Sequence, residues 1–121
     1  MEDFEKKVSI KEAMDTEDGS DYSFRTLQLL RKFLAIQQRR AQAYARLKSG
    51  FSQYMISSEE PAYQQLCSEI TLEFSDCSKQ VLEMESLFLS PDYCRANLAH
   101  LLRAVQMQEK QKLHLVNFLI H

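Results

Sequence analysis

The chain has 121 residues, 45% of them hydrophobic, and a formal net charge of −2, which bounds it to one domain with a modest core. Two Gly and two Pro in that length argue against a turn-rich β fold, because sheets need turn residues every few positions. No apolar run approaches the roughly 18 residues of a membrane span. The start MEDFEKK is neither a secretory signal nor a transit peptide, so we expect a cytosolic or nuclear protein.

Residues 1–21 hold eight acids against three bases, a net of −5, and the remainder is mildly basic. That composition predicts an acidic, disordered leader. Asp21 or Ser23 can then cap a first helix over about residues 22–57. Its apolar stripe is expected through Leu27, Leu30, Leu34, Ala41, Tyr44, Leu47, Phe51 and Tyr54, interrupted by Gln37. Gly50 inside this pattern costs about 1 kcal/mol relative to Ala, and so suggests a kink or the close approach of another backbone.

Ser58-Glu59-Glu60-Pro61 reads as a stop followed by a start. Ser58 is the candidate cap, the acids suit the helix N-terminus, and Pro61 is tolerated in the first turn. The second helix, about 61–89, has a regular seam of Tyr63, Leu66, Ile70, Phe74, Cys77, Val81, Met84 and Phe88. Ser90-Pro91-Asp92 reads as a second cap, opening a third helix over about 91–120. Its inward face is expected at Cys94, Leu98, Leu101, Leu102, Val105, Leu113, Val116 and Leu119, with a polar middle from Gln106 to Lys112.

Charge is sorted between the first two helices. Residues 22–57 carry Arg25, Arg31, Lys32, Arg39, Arg40, Arg46 and Lys48 and no acid. Residues 58–90 carry seven acids and only Lys79 as a base. Folding about Ser58 sets Lys48 and Arg46 near Glu69 and Glu73, Arg40 near Asp76, and Arg31 and Lys32 near Glu85 and Glu83. Swapped pairings would oppose like charges, so the pattern also selects the partner helix. The fold class is therefore all-α: an elongated antiparallel three-helix bundle, or a helical hairpin with a third packed helix.

No catalytic constellation competes with a binding role. His100, His114 and His121 are too dispersed for a metal, and Cys67, Cys77 and Cys94 lack zinc spacing. These thiols read as small hydrophobes in a reducing compartment. Phosphate-cradling glycine loops are absent. We expect no enzyme activity, catalytic residue, metal, cofactor, small-molecule substrate or membrane contact.

The basic helix has three readings. The plainest is an internal ion-pair face. The second is contact with a partner or with nucleic-acid phosphates through Arg31, Lys32, Arg39, Arg40 and Arg46, with Tyr44 and Tyr54 available to stack on bases. The third is a calmodulin-type target helix. There, Ile36-Gln37-Gln38-Arg39-Arg40-Ala41 is similar to the start of an IQ motif but lacks its Arg-Gly pair. The C-terminal Leu115, Val116, Phe118, Leu119 and Ile120, together with Leu113, exceed what one helix face can bury, and so suggest a hydrophobic partner contact.

The segment Arg39-Arg40-Ala41-Gln42-Ala43-Tyr44, followed by Leu47, Gly50 and Tyr54, resembles the first helix of the Required for Excision 1-B domain family. The likeness continues through Glu69-Ile70-Thr71, Phe74, Ser78, Val81-Leu82, Glu85 and Leu87. It resumes more loosely at Leu98, Leu101, Gln106, Glu109 and Leu113. The resemblance implies a small, helical, non-enzymatic protein tied to DNA excision repair, and supplies no catalytic residues. We therefore expect an adaptor or accessory factor that binds protein partners in a larger complex, with direct nucleic-acid contact less favoured. The alternatives are a structural subunit of a cytoskeletal, ciliary or other coiled-coil assembly, and a calmodulin target.

Overall fold

A computed structural model describes the chain over residues 20–120, with side-chain surroundings for residues 23–117. Three helices follow one another: α1 (Ser20–Ser57), α2 (Glu60–Leu89) and α3 (Ala96–Ile120). The fold is all-α, with no strand among the described residues. At 1.5 Å per residue, α1 is roughly 57 Å long, and α2 runs back antiparallel along it. The expected acidic leader lies outside the described residues, except that Ser20 and Asp21 form the first turn of α1.

The two links are tight, and both reverse the chain through a non-glycine residue at positive φ. Ser58 (φ 60°) ends α1, its N–H donating to Tyr54 O at 2.8 Å. Ser58 is thus the terminator of α1, not the cap of α2. Glu59 holds the cap position and makes no side-chain capping bond. Pro61 sits in the first turn of α2 as expected, where its missing N–H has no helical acceptor to lose.

At the second link the sequence expectation was wrong. Ser90 caps the end of α2, with its N–H and hydroxyl both donating to Leu87 O. Pro91 then enters a turn in which Ser90 O accepts from the N–H groups of Tyr93 and Cys94. Cys94, at φ 51°, redirects the chain. Serine followed by proline opens a turn as readily as a helix, so α3 starts at Ala96 rather than at residue 91.

The core has two compartments. The first joins all three helices through Leu29, Leu30, Phe33, Ile36, Cys77, Val81, Met84, Phe88, Leu98, Ala99 and Leu102. The second gathers Ala43, Leu47, Tyr63, Ile70 and Phe74, with Leu113 and Val116 of α3 half-buried against them. Tyr44 packs on Phe74 at 4.7 Å between ring centroids, and Tyr54 stacks on Tyr63 at 4.8 Å. Gly50 marks a close approach of α1 to α2, since a Cβ there would overlap Leu66 Cδ2.

The seam of α2 follows its sequence pattern, with only Leu66 less than buried. The seam of α1 is rotated from the expected stripe. It runs through Thr26, Leu29, Leu30, Phe33, Ile36, Arg40, Ala43 and Leu47, while Leu27, Leu34 and Tyr44 are half-buried and Ala41 is exposed. Cys94, in the turn before α3, and Leu101 are exposed, so the inward face of α3 narrows to Leu98, Ala99 and Leu102 and then to half-buried Val105, Leu113 and Val116.

Candidate interaction surfaces

The five basic side chains singled out on α1 separate into three environments. Arg39 is half-buried and donates to two carboxylates of α2: Nε to Glu73 at 2.8 Å and Nη2 to Asp76 at 2.9 Å. Hydrogen bonding to Arg39 holds both carboxyls below their ordinary range, and Gln80 helps at Asp76. Arg46 reaches Glu69 at 3.3 Å. Arg31 and Lys32 are exposed, and no ion pair reaches them among the described residues.

Arg40 is not a surface residue: it is only 3% exposed, which removes it from any contact face. Burial depresses its pKa, against a raising influence from Glu109. An interior guanidinium costs several kcal/mol unless its donors find acceptors, and here neutral groups on all three helices supply them. Arg40 Nη1 donates to Gln37 Oε1 at 2.6 Å. Its Nη2 is shared between Ser78 Oγ at 3.4 Å and Gln106 Oε1. Gln37 also donates to Glu109 Oε1 at 3.3 Å, so one amide links the Arg40 and Glu109 charges. This polar layer separates the two core compartments.

The ladder keeps the expected approach of Arg46 to Glu69, but farther along Arg39, not Arg40, meets Asp76. Glu85 does not pair with Arg31 or Lys32. It is 6% exposed and accepts from Arg103 Nε of α3 at 2.8 Å. The sequence reading missed Arg40, Gln106, Glu109 and Arg103 as a set. The signal was present in the spacing: residues 26, 29, 33, 36, 40, 43 and 47 step by threes and fours and place Arg40 in the seam.

The IQ-like segment turns Ile36, 2% exposed, and Arg40 into the bundle and leaves Gln38 and Ala41 exposed. Tyr44 is half-buried, with Lys112 Nζ 4.1 Å above its ring. Burial, aided by Glu109, pushes its phenol up to about 12. Of the C-terminal apolar set, Leu115 is 61% exposed and Val116 is half-buried in the second compartment. The side chains of Phe118, Leu119 and Ile120 lie outside the described residues.

No group of three or more His, Cys, Asp or Glu able to hold a metal ion occurs among the described residues. Cys67, Cys77 and Cys94 are free thiols. Burial raises the Cys77 pKa, the opposite of what activates a nucleophile. No helix of the described residues is long and apolar enough to cross a membrane.

Comparison with known proteins gives one consistent result. The family model described as DNA repair REX1-B matches residues 28–119. The chain is 31% identical over 94 residues to a Required for excision 1-B domain-containing protein of Mus musculus, covering 75% of this chain and 55% of that protein. The Bos taurus protein of the same name is 32% identical over 95 residues, covering 76% and 52%. The chain thus spans about half the length of these curated relatives. No solved structure matches it.

Proposed function

This chain belongs to the DNA repair REX1-B family, and from that premise we propose that it is a non-enzymatic helical adaptor acting in excision repair through protein–protein contacts. The observation that carries this reading is the fate of the α1 bases. Arg40 is buried, and Arg39 and Arg46 are engaged by acids of α2. A phosphate-binding face needs several free cations acting together, and among the five singled out only Arg31 and Lys32 retain that freedom. With three of these five α1 bases engaged or buried, α1 is a poor phosphate track, which supports a reading in which the chain reaches its substrate through other proteins. The family name points to a place of action in the nucleus.

Affinity purification of the tagged endogenous protein, with and without ultraviolet damage, tests the reading. Recovery of excision-repair or transcription-coupled repair factors, read by mass spectrometry, supports it. Recovery of axonemal, cytoskeletal or calmodulin partners instead overturns it. Strong, salt-sensitive binding of the isolated protein to duplex DNA, lost on Arg31→Glu with Lys32→Glu, moves the function to direct nucleic-acid contact.

A further inference from the structure

The outer side of α3 carries His100, Arg103, Met107, Lys110 and His114, all exposed. Their three- and four-residue steps line them up on one stripe. Among the described residues the only acid of α3 is Glu109, and it is turned inward toward Gln37. The exposed charge of this helix is therefore all basic.

Beside the stripe a groove of about 430 Å³ opens between α2 and α3. Its walls include Phe74, Leu82, Met107 and Leu113, with Arg103 and Lys110 contributed by α3; Arg40, Gln106 and Glu109 of the polar layer and Glu85, which is held by Arg103, line it as well. Leu82 and Met107 are 54% and 60% exposed on the walls of this groove. Arg103 spends Nε on Glu85, and its side chain is still 68% exposed. No ion pair reaches Lys110 among the described residues.

We propose that this groove docks an acidic amphipathic helix of a partner protein. Its apolar side chains seat against Leu82, Met107 and Leu113, and its carboxylates meet Arg103 and Lys110. The proposal rests on the adaptor reading and names the surface and the partner chemistry. Charge complementarity selects an acidic occupant, and the apolar walls select a helix face over a phosphate backbone. The chain's own acidic helix is a poorer occupant in a second copy, because Glu69, Glu73 and Asp76 are already committed to Arg46 and Arg39.

The test titrates the full chain against a labelled synthetic peptide with leucine at i, i+4 and i+7 and glutamate elsewhere. A counterpart with lysine for glutamate and a labelled DNA duplex complete the set. Saturable binding of the glutamate peptide is expected, weakened roughly tenfold or more by Met107→Asp and by Lys110→Glu. Both side chains are exposed, so circular dichroism and melting should match the parent.

Equal binding of the two peptides, or unchanged affinity in the variants, overturns the proposal. So does DNA that competes for the same residues, or a self-association that Met107→Asp abolishes. Met107→Asp combined with Lys110→Glu, tested in cells by affinity purification, separates the two levels of the account. If parent and variant recover the same repair factors, the groove assignment fails and the adaptor reading stands. If the parent recovers none, the adaptor reading fails, and the peptide titration alone decides the groove.

Discussion

Arg40 of α1 and Gln106 of α3 meet inside the bundle, with Arg40 Nη2 donating to Gln106 Oε1. This contact ties the third helix to the first at the level where the apolar core is interrupted. It favours one axial position of α3, because a shift by one turn would take Gln106 away from a buried guanidinium and leave it only Gln37 and Ser78.

Arg40→Ala is expected to destabilise the fold by about 3 kcal/mol or more, since it leaves partners unsatisfied and opens a void. Replacing the layer by Arg40→Met with Gln106→Leu and Glu109→Leu, which leaves the half-buried Gln37 able to turn to water, is expected to hold or raise stability, as apolar substitutes for buried polar groups often do. The triple variant should lose the unique seating of α3, seen as broadened amide resonances in residues 105–117. Chemical denaturation gives the first quantity and NMR the second. A triple variant less stable than the parent would mean the layer contributes net stability.

The Arg39 fork predicts an acid response. Glu73 and Asp76 have folded pKa values below their ordinary ones of 4.5 and 3.8. Their contribution is therefore present above the ordinary carboxylate range and is lost as pH falls through the depressed values. Because the pairs are exposed, the effect is small and should shrink with salt. Melting curves on the acid side should converge for the parent and Arg39→Ala, and Arg39→Glu should be worse than Arg39→Ala at neutral pH. Parallel pH profiles for parent and Arg39→Ala would remove the fork from the acid response.

Gly50 and Leu66 predict a coupled pair. Gly50→Ala forces Leu66 aside, and overpacking of this kind costs about 1–3 kcal/mol, against a gain of about 1 kcal/mol in helix propensity. In a Leu66→Ala background the obstruction is gone, so Gly50→Ala should stabilise. A double-mutant cycle reads the difference directly, and additivity of the two changes would contradict the close approach.

Tyr44 predicts an alkaline response. Its folded pKa is pushed up to about 12, above the ordinary 10.0. The folded state thus holds the phenol proton more tightly, a contribution present below pH 10 and lost as pH rises through about 12. Ultraviolet difference titration of the parent against Tyr44→Phe should remove a late-ionising component. Loss of an early one would show that Tyr44 faces solvent.

Much of this architecture was legible in the sequence, for reasons that differ by helix. In α2, three- and four-residue apolar steps run without a polar interruption from Tyr63 to Phe88, so the seam is legible despite neighbours such as Val81-Leu82. In α1, Leu29 and Leu30, then Phe33 and Leu34, are adjacent, and periodicity alone does not choose between them. The expected stripe was rotated for that reason. Arg40 was assigned outward because arginine is rarely buried, although its spacing put it in the seam. The family was visible in short motifs. The groove was not, because it depends on how far α2 and α3 separate around Leu82 and Met107, which no linear pattern encodes.

Lysine crosslinking of the purified endogenous assembly tests the adaptor account most directly, because exposed lysines lie on both candidate faces: Lys32 and Lys48 on α1, Lys110 on α3. The account predicts that crosslinks to partner proteins concentrate at Lys110, and that they fall with Met107→Asp. An assembly with no crosslink from any of these lysines to another protein would contradict the adaptor account, and crosslinks confined to Lys32 and Lys48, with Lys110 silent, would contradict the groove and move the contact to the basic helix.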